Sequence, residues 1–271
     1  MTWIDLQPAG ANALSLDLSP PVCVGPADRL FMFGGVGLGA SLEALERATG
    51  RPVVWASAQY ESYARPGETV LFSVDERVRG NQVSQARVTA TAGEREVLTV
   101  VSALGQRDMD TRGQWTLAPR VPPPDDCPAR PQWPARHPDD IHGRLDFRII
   151  KGAMHGPGKV GASAPDGNVL MWARPDPALL GADAVIDTKF VAVVADYVPS
   201  AVGPTLGRSA GGNSLDNSIR FHRMVETEWL LCDVQIHGIA NGFAHGRMHI
   251  FAQTGELIAT ASQSLILRLW A

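Results

Sequence analysis

Val97-Leu98-Thr99-Val100-Val101-Ser102-Ala103 in the first half of the chain returns as Leu257-Ile258-Ala259-Thr260-Ala261-Ser262-Gln263 in the second. Each stretch follows a Gly-Glu turn, Gly93-Glu94 and Gly255-Glu256. Earlier landmarks recur at nearly the same offset: Tyr63-Ala64-Arg65 with Phe221-His222-Arg223, and Gly80-Asn81 with Asn241-Gly242. A repeat of this length predicts two copies of one module packed about a pseudo-twofold axis. The copies are not chemically equal. In this alignment Ala103 stands where the second copy has Gln263, so a polar site is expected to survive in one half only.

Working outward, the segment between the copies carries Pro119, Pro122, Pro123, Pro124, Pro128, Pro131, Pro134 and Pro138, too many for a helix or a central strand. It predicts an extended linker over residues 119–140, with Trp133 as a candidate anchor, between modules 1–118 and 141–271. In the first module Leu38, Leu42, Leu45 and Ala48 repeat at helical spacing after Gly34-Gly35, and Gly50 supplies a stop. Strands are expected near 53–64, 69–78, 83–91 and 97–104. In the second module strands are expected near 144–151 and 169–173, then a helix near 187–198, then strands near 218–222, 229–238, 244–253 and 257–269. A helix followed by a run of antiparallel strands, twice over, argues an α+β class with one long helix on a curved sheet in each copy.

Composition narrows the classes. With 45% hydrophobic and 19% charged residues the chain of 271 residues is globular, large enough for one big core or two of ordinary size. A net charge of −4 gives no basic footprint for nucleic acid, and no apolar run reaches the ~20 residues of a membrane span. Cys23, Cys127 and Cys232 are scattered and odd in number, which predicts free thiols in a reducing compartment. Met1-Thr2-Trp3-Ile4-Asp5 shows no basic-then-apolar leader, so a cytoplasmic location is expected.

Three residues stand out for chemistry. Alternation puts Leu257, Ala259, Ala261, Gln263, Leu265 and Leu267 on one strand face, apolar except for the Gln263 amide. Asp196 ends the apolar stretch Phe190-Val191-Ala192-Val193-Val194-Ala195, where burial would raise a carboxyl toward the range of a useful base; the alternative is an exposed helix end before Pro199. Ser214 follows Gly211-Gly212, and alternation groups it with Asp216 and Ser218, opposite Leu215 and Ile219.

These residues occur within a wider match. Val169-Leu170-Met171-Trp172-Ala173-Arg174, Val194-Ala195-Asp196, Ser214-Leu215-Asp216, Phe221-His222-Arg223, Glu228-Trp229-Leu230-Leu231 and Ala261-Ser262-Gln263 resemble the acyl-CoA thioesterase II family. Phe33-Gly34-Gly35 and Arg65-Pro66-Gly67 resemble its N-terminal half. The resemblance implies a double hotdog fold that hydrolyses acyl-CoA to free acid and coenzyme A, with no cofactor, in a homo-oligomer. It also implies that Asp196, Ser214 and Gln263 hold and activate the hydrolytic water. Ser57-Ala58-Gln59-Tyr60-Glu61-Ser62-Tyr63 and Val36 depart from the family pattern, which bears on acyl-chain preference.

Other motifs have simpler readings. Gly34-Gly35-Val36-Gly37-Leu38-Gly39 opens a helix without the lysine of a phosphate loop; close packing explains it, and Gly34 and Gly35 amides are candidates to polarise a bound carbonyl. Gly207-Arg208-Ser209-Ala210-Gly211 fits a nucleophile elbow by letter, but its flanks read as a glycine loop. His245 and His249 flank Arg247, a cation that disfavours a metal, and no metal site is expected. A hotdog hydratase would need a histidine beside an acid, and an acyl-binding protein without catalysis would need none of the three residues.

Overall fold

The computed structural model describes residues 4–130, 137–152, 162–177 and 186–270. Trp133 and the segment around it lie outside the described residues. In the first half, β1 (Gln7–Gly10) and β2 (Ala13–Asp17) precede the short pair β3 (Cys23–Val24) and β4 (Phe31–Met32). Then come α1 (Gly34–Thr49), β5 (Val53–Tyr60), β6 (Thr69–Arg79), β7 (Val83–Ala92) and β8 (Arg95–Gly105). The second half contributes β9 (Leu145–Lys151), β10 (Asn168–Pro175), α2 (Thr188–Ala195) and α3 (Val202–Leu206). It ends with β11 (Ala210–Ser214), β12 (Asp216–Phe221), β13 (Leu230–Ala240), β14 (Phe243–Ala252) and β15 (Leu257–Leu269).

One antiparallel sheet runs through both halves in the order β1-β2-β6-β7-β8-β5-β12-β15-β14-β13-β10-β9, with β11 also paired to β15. The order reads the same from the middle outward: β5, β8, β7, β6, β2 on one side and β12, β15, β14, β13, β10 on the other. At the junction Ser57 faces Ser218, their hydroxyl oxygens 2.7 Å apart.

The registers refine the repeat. Ser57 pairs with Val101, and Ser218 with Ser262, so one residue further on Ser102 is the counterpart of Gln263. The alignment that set Ala103 against Gln263 is therefore one residue off. The cause is the β14–β15 turn, Gln253-Thr254-Gly255-Glu256, which is longer than the two-residue Gly93-Glu94 turn of β7–β8. A one-residue slip exchanges the two faces of a strand. Ser102 is buried and donates to the Trp55 carbonyl at 2.7 Å. Likewise Val53 pairs with Leu104 as Ser214 pairs with Leu265, so Val53 is the counterpart of Ser214.

Helices α1 and α2 lie on the same face of the sheet and pack antiparallel on each other. The glycines of α1 permit this. A Cβ on Gly35 would fall 2.8 Å from the Val193 backbone, and one on Gly39 3.0 Å from the Lys189 carbonyl. α2 is capped by Asp187, whose carboxylate accepts from Phe190 N–H at 2.8 Å, and its residues Phe190 to Ala195 are all buried. No helix among the described residues is long and apolar enough to cross a membrane.

The stretch after Gly207 is a strand, not the glycine loop expected. Ala210–Ser214 pairs with β15 because the glycines leave room for its side chains: a Cβ on Gly212 would sit 2.2 Å from Leu265 Cδ1. Helix α3 precedes this strand, the reverse of a nucleophile elbow. The proline segment is extended where described, with a 3-10 turn at Pro124–Asp126. It runs along the second half: Trp172 Nε1–H donates to the Pro122 carbonyl at 3.0 Å, and Ile149 N–H to that of Pro128 at 2.8 Å. Cys23, Cys127 and Cys232 are all free and buried, and burial pushes the Cys23 thiol up to about 12.

Candidate active site

Three elements bring the predicted residues together. Asp196 is the C-terminal cap of α2, Ser214 ends β11, and Gln263 lies mid-strand in β15. Gln263 Nε2–H donates to Asp196 Oδ1 and, at 3.2 Å, to Ser214 Oγ. Ser214 Oγ–H donates to the same Asp196 oxygen at 3.3 Å. Asp196 is 5% exposed and Gln263 2%. The alternative of a solvent-facing Asp196 at a helix end is excluded.

Ser214 reaches this cluster through a break in alternation. β11 ends at Ser214 and β12 starts at Asp216, both paired to neighbouring strands, so Leu215 is an extra residue between them. Ser214 shares the inner face with Leu265 and Gln263. Asp216, which alternation placed beside it, turns outward opposite Gln59, its Oδ1 accepting from Ser264 N–H at 2.8 Å.

Asp196 also closes the start of α1. The N-cap of α1 is Phe33, which has no capping side chain, and its first turn holds no acidic residue. Gly35 N–H donates instead to Asp196 Oδ2 at 2.6 Å, so a carboxylate from the second half satisfies an orphan donor of the first. The positive end of α1 favours this anion, and the negative end of α2 opposes it. Of the two glycine amides expected to polarise a substrate carbonyl, that of Gly35 is thus committed to Asp196. Gly34 lies beside the site: a Cβ there would fall 2.7 Å from Asp196 Oδ2.

Burial raises the Asp196 carboxyl to about 7, against the lowering pull of hydrogen bonds from Gln263, Gly35 and Ser214. Near neutrality this group can take up and release a proton.

The cluster is larger than the three residues. Gln263 Oε1, Tyr60 Oη and both amide atoms of Asn217 are buried with no hydrogen-bond partner among the described residues. Each such atom costs about 1–3 kcal/mol if it stays unpaired, so a native protein holding several side by side has a use for them. Sequence reasoning missed Tyr60 and Asn217. The signal for Asn217 was present: it alternates onto the face of Ile219, as Gln263 does among its leucines and alanines. Tyr60 closes β5 opposite the fully buried Leu98, and nothing in its neighbours in sequence marks it.

Elsewhere His249 is hydrogen-bonded to Arg247 at 2.9 Å. Among the described residues no group of three His, Cys, Asp or Glu side chains is placed to hold a metal ion.

Comparison with known proteins places the chain in a family. The sequence profile of the acyl-CoA thioesterase C-terminal domain family matches residues 124–267, more than half of the chain, and the chain belongs to that family. It superposes on a candidate thioesterase from Novosphingobium aromaticivorans with a TM-score of 0.86 and 32% identity, over 97% of this chain and 98% of that one. A hot dog fold protein of unknown function from Alicyclobacillus acidocaldarius matches with a TM-score of 0.82 and 17% identity, covering 98% and 97%. Acyl-CoA thioesterase II TesB2 from Mycobacterium marinum matches with a TM-score of 0.75 and 22% identity, again covering 98% and 97%. The fold is thus of the hotdog type. No curated protein matched in sequence.

Proposed function

We propose that this protein hydrolyses acyl-CoA thioesters to free carboxylic acid and coenzyme A by direct attack of water. The observation that carries the reading is the convergence of Gln263 and Ser214 on one oxygen of a buried Asp196. Asp196 takes a proton from water as the water oxygen bonds to the thioester carbon. The tetrahedral intermediate then breaks its C–S bond, and Asp196 returns that proton to the departing sulfur. Gln263 and Ser214 fix the carboxylate, and the free Gln263 Oε1 is an acceptor for the second water hydrogen. No metal or organic cofactor enters the reaction.

The fold reading that goes with this is a double hotdog of α+β class, an N-terminal module 1–118 and a C-terminal module 141–271 joined by 119–140. The mirrored strand order and the paired helices support it. Only the second module carries the three residues, since Val53 and Ser102 hold the places of Ser214 and Gln263. A homo-oligomer in the cytoplasm completes the proposal. A hydratase reading would require a histidine at the acid, and every hydrogen bond described for the Asp196 carboxylate comes from Gly35, Ser214 or Gln263. Release of free thiol from a panel of acyl-CoAs, run beside hydration of crotonyl-CoA, tests the function. Thiol release without hydration is the expected result, and hydration without thiol release would overturn it.

A further inference from the structure

Three observations concern residues that the reaction above leaves unused. First, Tyr60 comes from the first half, yet its ring and the Asp196 carboxylate close on one point: a Cβ on Gly34 would lie 2.9 Å from Tyr60 Cζ and 2.7 Å from Asp196 Oδ2. Second, the Tyr60 hydroxyl is buried and unpartnered although the residue as a whole is only half-buried, so the ring borders open space with its oxygen turned inward. Third, Asn217 is fully buried on β12 with both amide atoms unpartnered. It pairs with Ala58 on one side, and one step along the antiparallel register from Ser218–Ser262 sets it beside Gln263 on the other. Asn217 lies near enough to Tyr60 to favour its charged form, but neither amide atom meets the hydroxyl at hydrogen-bonding geometry.

A thioester hydrolase needs donors for the oxygen that becomes negative as water adds. Of the two donors expected from the sequence, the Gly34 and Gly35 amides, that of Gly35 is occupied by Asp196. We propose that Tyr60 Oη–H and the Asn217 amide are those donors, binding the thioester carbonyl oxygen across the junction of the two halves. The inference rests on the thioesterase reading. In the step itself the C=O π electrons move onto the carbonyl oxygen as the water oxygen bonds to carbon. Tyr60 and Asn217 donate hydrogen bonds without giving up protons, and the π bond re-forms as C–S breaks. Burial first, and then the nearby Asp196 charge, holds the Tyr60 phenol well above its ordinary range, so it remains a neutral donor wherever Asp196 is ionised. Both residues belong to different modules, which gives the chemically silent half a direct part in catalysis.

The test is steady-state thiol release by Tyr60→Phe and Asn217→Ala, with hexanoyl-CoA and palmitoyl-CoA as probes, alongside melting temperatures and a pH profile. Removing one preorganised donor from an oxyanion lowers kcat by about 10²–10³-fold. We expect a loss of that order in each variant, carried by kcat with KM within a factor of about three. The acid limb of the pH profile stays in place, because the base is unchanged. Melting temperatures within a few degrees of wild type are expected, since Tyr60→Phe removes one unpartnered oxygen and keeps the ring. An unchanged kcat in Tyr60→Phe, while the wild-type protein does release thiol, would overturn this inference alone. A limb displaced by a full pH unit would also overturn it, by showing action through Asp196, as would a large fall in melting temperature, by showing a structural bond. If the wild-type protein releases no thiol from either probe, the thioesterase reading and this inference fall together.

Discussion

The Gly35 amide and the Asp196 carboxylate, one from each half of the chain, are joined by a 2.6 Å hydrogen bond. That bond couples the packing of the two helices to the site. α1 and α2 approach closely enough for it only because position 35 lacks a side chain.

Gly35→Ala should therefore damage stability and activity together. The added methyl would lie 2.8 Å from the Val193 backbone and 2.9 Å from Asp196 Cβ, and overpacking of this kind costs about 1–3 kcal/mol. Gly39→Ala meets the Lys189 backbone less closely, its carbonyl oxygen at 3.0 Å and its Cα at 3.3 Å, further from the site, and should cost less and spare turnover. Urea midpoints for the two variants check this; equal midpoints would remove the special role of Gly35.

The pH dependence follows from the burial of Asp196. A general base acts when deprotonated, so kcat/KM should fall about tenfold per unit as pH drops below an inflection near 7. A profile flat from pH 5.5 to 8 would mean that no group of this kind limits the reaction.

The same shift sets a stability prediction of opposite sense. The folded carboxyl, at about 7, lies above its ordinary 3.8, so the native state keeps a proton that the unfolded chain has lost. That holds stability highest at acid pH and erodes it as pH rises from about 4 to 7, by roughly 2–4 kcal/mol in all. Asp196→Asn should then melt higher than wild type at pH 8 and close to it at pH 4.5. A lower melting point at pH 8 would show that the ionised carboxylate, as the cap of α1, stabilises more than its burial costs.

Much of this was legible in the sequence, for identifiable reasons. Gln263 announced itself because it is a lone amide on the face of Ala259, Ala261 and Leu265, and the strand keeps its alternation from Ala259 to Leu265; Leu257 leaves that face at a register shift beside Ile258. The long strands and α1 carried their own periodicity, and α2 was marked by its unbroken apolar run, Phe190 to Ala195. Ser214 was legible only by resemblance, since an extra residue at Leu215 turns it to the face that counting assigns to its neighbours. β2 was overlooked although Ala13-Leu14-Ser15-Leu16-Asp17 alternates plainly, with Leu14 and Leu16 buried. The Asp196–Gly35 bond joins residues 161 apart, and no local pattern encodes it.

The asymmetry of the halves gives a paired prediction. Gln263→Ala removes a donor to Asp196 and should lower turnover by roughly 10–1000-fold. Ser102→Ala, at the equivalent place in the first half, loses a bond to the Trp55 carbonyl and should cost about 1 kcal/mol of stability with turnover unchanged. Matching losses of turnover in both variants would mean that each half holds a site.

The central claim is that Asp196 is the base of a thioester hydrolase, and thiol release by Asp196→Asn tests it most directly. Asparagine keeps an oxygen for the Gly35 amide but cannot accept a proton at neutral pH. The account predicts a folded protein, confirmed by its melting curve, whose hydrolysis of the best acyl-CoA falls by about 10³-fold or more. A folded Asp196→Asn variant that retains a tenth or more of wild-type turnover would contradict it.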